Sequence, residues 1–382
     1  MVGTMTTWFS MTAVLPELTE EWGLSSAQGS YITIMVQAGF VTGSLLSAFF
    51  NLPDRIIPPV LFFWSAVVAG LSTLLTAMAV DNLTAAMLMR FITGMALAGV
   101  YGPGLKLTST WFKLKRGMAL GFVVGSLTLG SSAPHLFRGI GMPSWELVLM
   151  VSGSASILAG VLVYAAVPVG PFMTPSAPFD PKSIPKAFKN RAVRLANFGY
   201  FGHMWELYAM WTWFGLFVTE SIIAAGSAEN AAAKSSIITF LVVGSGFIGA
   251  WAGGVLADKF GREKITLWSL GISGSMTILI GFSFGGAIWL SAIIGIIWGM
   301  AIIADSAQFS ALVTEHADQR YVGTALTFQL AVGFALTILV ILLVPIFETL
   351  VGWKYVFLLL LPGPAAGFIS MLKLYALTTK HS

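Results

Sequence analysis

The sequence predicts an all-α integral membrane protein, with twelve transmembrane helices arranged as two pseudo-symmetric six-helix bundles. Three observations carry that prediction. First, of 382 residues 57% are hydrophobic and only 9% are charged, and the mean hydropathy is +0.86; soluble domains carry about 25% charged residues. Second, the apolar runs are about 20 residues long, enough for a helix to cross a ~30 Å hydrocarbon core. Third, the chain repeats itself at a nearly constant offset. Gly94-Met95-Ala96 recurs 205 residues later as Gly299-Met300-Ala301, and Gly117 matches Gly323 at 206. Trp145 matches Trp353 at 208, and Asp54-Arg55 matches Asp258-Lys259 at 204. A constant-offset duplication over a whole chain is the mark of a two-half transporter.

The apolar segments, in order, fall near 1–16, 28–50, 56–79, 84–107, 117–137 and 146–167, then 196–219, 235–257, 265–284, 286–311, 322–347 and 353–375. The first is short and begins at Met1 with no basic residue before it, so a truncated first helix is expected. It ends in Leu15-Pro16-Glu17 without a small-residue cleavage site, unlike a signal peptide. Residues 168–195 are the longest polar stretch, with Pro168, Pro171, Pro175, Pro178, Pro181 and Pro185, and read as a linker. The expected domains are therefore a first half at 1–167, a linker at 168–195, a second half at 196–375 and a tail at 376–382.

Lys and Arg set the orientation. With both termini cytoplasmic, the inner loops carry Arg55, Lys113, Lys115, Arg116, Lys182, Lys186, Lys189, Arg191, Arg194, Lys259, Arg262, Lys264, Arg320, Lys373 and Lys380. Outer positions carry Arg138, Lys234 and Lys354, so the bias is fifteen to three. The expected location is a cell membrane, multi-pass.

Several function classes drop out. The formal charge of +4 gathers on one side of the membrane, which argues against nucleic-acid binding. Cysteine is absent, which removes disulfides, thiolate metal sites and cysteine nucleophiles. No Lys follows a Gly, so the phosphate loop of an ATP-driven pump is missing. His-Glu-x-x-His is absent too, and no cofactor, metal or catalytic residue is expected.

The densest charge cluster is 254–264, Gly-Val-Leu-Ala-Asp-Lys-Phe-Gly-Arg-Glu-Lys, between two long apolar runs. Its Gly254, Asp258-Lys259, Gly261-Arg262 and Lys264 resemble the cytoplasmic loop motif of the major facilitator superfamily. The resemblance implies a latch that locks the two halves. Gly254 lets helices approach, Gly261 turns the chain, and Asp258 and Arg262 form a charge pair. Glu315 and Arg320 match charged positions flanking the loop between helices 10 and 11, with Glu315 as the partner of Arg262. The first-half copy keeps Asp54-Arg55 but loses the later Gly and Arg. Arg90-Phe-Ile-Thr-Gly94 looks like the family's Arg-x-x-x-Gly element. Gly121, Gly125, Gly130 and Pro134 look like a loose form of its Gly-Pro element in helix 5, at altered spacing.

Ionisable residues within the apolar runs are the transport candidates, because charge at a bilayer centre costs about 2.5–3.5 kcal/mol. In helix 7, Gly199, His203, Glu206, Met210 and Trp213 share a face, with Glu206 near the midplane. Glu206 and His203 read as a proton-sharing or substrate-contacting pair; the alternative is a pair that only fixes packing. Arg90 shares a face with Gly94, Leu97 and Tyr101. It can attract an anion or act as a hub for backbone carbonyls. The resemblance adds a role in proton coupling. In helix 5, His135 is a candidate for gating or proton access. Asp305, with Gln308 one turn on, either pairs across the bundle or lines the inner exit. Gln329 can donate and accept in a cavity. Lys106 is expected to snorkel to the interface. The 13 Trp and 28 Phe are expected mostly to face lipid or the interfaces rather than form a cage.

The expected function is alternating-access transport of a small organic solute, with anions admitted by Arg90, driven by protons. Proton-driven drug efflux is the alternative, and a non-transporting receptor on a transporter fold is the reading from another class. Nitrate and nitrite carriers of the superfamily place an Arg in helices 2 and 8, and neither 28–50 nor 235–257 contains one. The expected partners are the solute, protons and the lipid bilayer around a monomer.

Overall fold

The computed structural model describes residues 1–112, 116–142, 144–173 and 179–379. Lys113, Lys115, Pro175, Pro178 and Lys380 lie outside the described residues, as does the side chain of Arg116. Among those described there is no β-strand. Eleven helices are long and apolar enough to cross a membrane. The twelfth crossing, span 1, is broken into Val2–Met5, Ser10–Ala13 and Leu15–Trp22.

The break follows from the sequence. Hydroxyls of Thr4, Thr6, Thr7 and Ser10 bond back to carbonyls three residues earlier, at 2.7 to 3.1 Å. Such local bonds compete with the helical ladder. Span 1 therefore runs on to Trp22 rather than stopping near residue 16, and closes on Gly23 with φ +63°.

The remaining spans are continuous or nearly so. Span 2 is Ser26–Phe49, span 3 Pro58–Ala79, span 4 Leu83–Ser109, span 5 Arg116–Gly139 and span 6 Trp145–Ala166. Span 7 is Arg191–Ala224, and span 8 joins Ala231–Gly244 to Gly246–Phe260. Span 9 is Arg262–Leu279 with a 3-10 turn at Ile280–Ser283. Span 10 joins Ile288–Ala304 to Ser306–His316, with Asp305 at the junction. Span 11 is Val322–Val351, and span 12 joins the 3-10 stretch Trp353–Leu360 to Pro362–Thr378. Caps fix several starts. The Asn82 and Asn190 side chains accept from backbone N–H groups of spans 4 and 7, as N-cap residues do.

Lipid supplies no hydrophobic drive between helices, so close contact falls to small residues. Glycines show this in both halves. A Cβ on Gly94 would strike the Val36 carbonyl, and one on Gly299 would strike that of Val242. Likewise Gly43 abuts Met95 and Gly249 abuts Met300. These paired contacts are offset by 205 or 206 residues, so the repeat is a repeat of packing. Large apolar side chains such as Trp64, Leu158, Phe198 and Trp289 point outward instead.

The halves meet along two seams. Span 5 lies on span 8 through glycine: a Cβ on Gly121 would be 2.9 Å from the Ala250 carbonyl, and one on Gly125 3.1 Å from Phe247 Cα. Span 2 lies on span 11 through aromatic rings, with Phe40 and Phe334 centroids 4.5 Å apart.

Candidate functional site

The second seam holds a group of rings drawn from both halves. Trp8 lies 4.9 Å from Phe40, 5.6 Å from Tyr208 and 5.8 Å from Phe334. Phe334 is 5.2 Å from Tyr208, and Phe9 meets Trp211 edge-on at 5.8 Å. Tyr101, half-buried on span 4, reaches Phe40 at 6.3 Å. Trp8, Phe9, Phe40, Tyr208, Trp211 and Phe334 are all buried. Others such as Trp268 and Phe282 are exposed as expected, but this group corrects the expectation that the aromatics form no inward cluster. Composition counts rings, but only the position of the opposite bundle decides which of them turn inward. An apolar cavity of about 220 Å³, bordered by Met1, Phe62, Gly104 and Val163, lies within the first half.

Span 7 presents two buried faces, and the expected site residues lie on the one turned away from these rings. At 100° per residue, Tyr200, Met204, Tyr208 and Trp211 group on one side and His203, Glu206 and Met210 on the other. Glu206, with 0% exposure, is turned into the second bundle. Its carboxylate accepts from Trp298 Nε1 at 2.6 Å and Ser273 Oγ at 2.9 Å. His203 does not bond to Glu206; its Nδ1 is 3.0 Å from Asp305 Oδ1, both residues 1% exposed. The expected His203–Glu206 pair is thus replaced by two pairs. Side chains one turn apart share a face, but spans 9 and 10 supply better-placed partners. Asp305 also starts the second piece of span 10, its carbonyl accepting from Gln308 N at 2.8 Å. Ser273 and Trp298 were missed by sequence reasoning. Nothing in a single Ser or Trp marks it as a carboxylate partner.

Arg90 answers the break in span 1. Its Nη2 donates to the carbonyls of Thr7 at 2.7 Å and Trp8 at 2.5 Å, and its Nη1 reaches Ser10 Oγ at 3.4 Å. The geometry is that of the carbonyl hub. His135 is buried beside Gly215 of span 7, its Nε2 without a protein partner. One turn on, Arg138 pairs with Glu17 at 2.8 Å. Gln329 accepts from Ser310 Oγ at 3.0 Å while its Nε2 has no partner. Gln37, on span 2, was also missed. It is fully buried, and neither amide atom has a protein partner; a Gln in the middle of an apolar run was the available signal.

At the face carrying the basic loops, Arg262 donates to Glu315 at 2.6 Å and to Gln308 Oε1 at 2.7 Å. Among the described residues it forms no pair with Asp258. That carboxylate lies instead across the seam at the start of span 5, about 3.0 Å from where a Cβ of Gly117 would stand. Helix starts attract anions, which draws Asp258 away from Arg262. Gly254 packs on the Gly117 carbonyl, and Gly261 turns the chain with φ +92°. Lys259 sits over Phe260 and Lys264 over Tyr375, 5.2 and 5.8 Å from the ring centroids. Lys106 pairs with Asp54 rather than reaching for the interface alone, and Arg55 is exposed. Beyond the spans, Arg320 holds the Asp318 carboxyl down at about 2 through side-chain hydrogen bonds. The Ser183 hydroxyl lowers that of Asp180.

The chain is similar to known proteins over most of its length. A sequence model of the Major Facilitator Superfamily matches residues 1–337. The MFS-type transporter pytF of Aspergillus terreus is 28% identical over 210 residues, 53% of this chain and 67% of that one. The MFS-type transporter opdF of Penicillium oxalicum is 24% identical over 326 residues, covering 81% and 72%. A crystal structure of a mutant of the nucleoside transporter NupG superposes with a TM-score of 0.73 over 98% of this chain and 97% of that one. At 14% identity it shares the fold.

Proposed function

The chain belongs to the major facilitator superfamily of secondary transporters, and we propose that it carries a small organic solute by rocking its two halves about the aromatic seam, coupled to protons. The observation that carries the reading is the convergence of Trp8, Phe40, Tyr208 and Phe334. They come from spans 1, 2, 7 and 11, on both sides of the interface. A site built from both halves is one that rocking exposes to each side in turn.

The coupling role falls to Glu206 with the His203–Asp305 pair. Among the described residues neither carboxylate has a Lys or Arg ion-pair partner. Burying a charge without such a partner costs several kcal/mol, a cost that a bound proton removes. Spans 7, 9 and 10 meet at these groups, so a proton there alters how the second bundle packs. At the basic face, Asp258 against the start of span 5 would close the inner side, with both termini cytoplasmic, while Arg262, bound within the second half to Glu315 and Gln308, would hold the loop that carries it. An anionic solute is the weaker reading, because Arg90 would first have to release the Thr7 and Trp8 carbonyls.

The test is intravesicular pH in proteoliposomes while candidate solutes are added. Solute-dependent proton movement is expected in the wild type and should vanish in Glu206→Gln. Solute flux with equal proton movement in both proteins would reduce Glu206 to a packing residue. Absence of any flux would favour a receptor on a transporter fold.

A further inference from the structure

We infer that the aromatic seam binds an uncharged, planar aromatic solute carrying a hydrogen-bond donor and acceptor side by side on one edge, which the Gln37 amide reads. The inference rests on the transport reading for its biological setting but not for its geometry. Gln37 has 0% exposure, and both Nε2 and Oε1 lack protein partners. Buried side-chain amides are otherwise almost always paired. Its direction is fixed by its neighbours on span 2. Thr33, Gln37 and Phe40 follow at steps of four and three and so share one face. Thr33 Oγ1 is 3.0 Å from Thr12 Oγ1 of span 1. Phe40 touches Trp8 at 4.9 Å and Phe334 at 4.5 Å. The amide between them therefore projects at span 1 and the ring group.

The surroundings set the ligand class. Trp8 Nε1 and Trp211 Nε1 are buried donors without partners as well. Trp8, Phe40, Tyr208 and Phe334 lie against one another at ring-contact distances, so a guest enters by parting them and then meets aromatic faces and edges. The cation nearest the break in span 1, Arg90, is committed to the Thr7 and Trp8 carbonyls. Flat apolar walls select a planar ring system. A carboxamide offers one acceptor and one donor side by side, and its complement is a lactam or amide edge. A carboxylate would leave Gln37 Oε1 without a donor, and Arg90 would first have to release the Thr7 and Trp8 carbonyls to balance its charge.

The experiment is calorimetric titration of the purified full chain with three probes: 2-quinolone, its N-methyl derivative and 2-naphthoate. They share a two-ring frame, while the second lacks the donor and the third carries a charge. Wild type should bind 2-quinolone about ten-fold tighter than the N-methyl derivative, the factor expected of one buried hydrogen bond. Gln37→Leu should reduce that preference to about one, weakening N-methyl-2-quinolone less than 2-quinolone because that probe loses only the bond from its carbonyl to Nε2; an unchanged size-exclusion profile reports that the variant is folded. Equal binding of the two quinolones by wild type would assign Gln37 to bound water and overturn the inference. So would tighter binding of 2-naphthoate, a preference unchanged in Gln37→Leu, or no binding of 2-quinolone. The carrier reading fails separately. Gln37-dependent binding without flux of any solute would keep the site and remove transport. Proton-driven flux of another solute, with 2-quinolone ignored, would keep transport and remove the ligand class.

Discussion

The two seams occupy equivalent places in the repeat, and they are built in opposite ways. Where span 5 meets span 8, Gly121, Gly125 and Gly254 bring backbone against backbone. Where span 2 meets span 11, the rings of Phe40 and Phe334 lie against each other, with centroids 4.5 Å apart. A glycine seam transmits motion because nothing intervenes between the two backbones. A ring seam can open around a guest, because side chains turn at lower cost than helices shift. The duplication accounts for where the halves touch, and on the proposed reading divergence made one contact a bearing and the other a site.

The largest effect is expected from breaking the bearing. Gly121→Leu places a side chain where even a Cβ would stand 2.9 Å from the Ala250 carbonyl. Overpacking of this kind costs about 1–3 kcal/mol, and here it also wedges the halves. Proteoliposome flux should fall at least ten-fold while folded protein is still recovered on size-exclusion chromatography. Wild-type flux would mean that the close contact between spans 5 and 8 is not maintained during transport.

A smaller and different effect is expected at the ring seam. Phe334→Ala removes contacts with Phe40, Tyr208 and Trp8. In a water-soluble core such a change costs about 3–5 kcal/mol. Less is expected here, because lipid adds no hydrophobic drive. Affinity for the transported solute should weaken about ten-fold, with the maximal rate changed less. A variant with unaltered KM but a collapsed melting temperature would make the rings ordinary packing.

What the sequence made legible follows the same division. Hydropathy and the constant offset between Gly94 and Gly299 are properties of the chain, so the spans and their duplication could be read directly. The Asp258–Arg262 stretch was recognisable as a motif, and so was the Arg262–Glu315 pair that the resemblance implied; that Asp258 turns to span 5 instead of to Arg262 was not. Arg262 found Glu315 and Gln308, and Asp258 found span 5, all distant in sequence. Glu206 and His203 stood out as costly residues, yet periodicity could not say which side of span 7 faces the other half. Gln37 and Trp8 lay in plain sight without a charge to draw notice. Their meaning depends on partners they lack, and that is visible only in three dimensions.

The smallest effect is expected at Asp318, in the exposed turn before span 11. Its carboxyl is held at about 2 by Arg320, which donates through Nη2 at 2.6 Å, and both side chains are exposed. The folded value lies below the ordinary carboxylate value of about 3.9. Whatever stability the pair adds is therefore complete above about pH 4 and is lost only as pH falls toward 2. Exposed pairs contribute little even when fully charged. Asp318→Asn should thus match wild type in melting temperature and in flux between pH 5 and 8. Proton-driven flux that changes across that window must then arise from other groups, with the Glu206 region the first to examine. Should Asp318→Asn depress flux as strongly as Phe334→Ala, the basic-face loop would limit the cycle. The contrast between bearing and site would then no longer account for the rate.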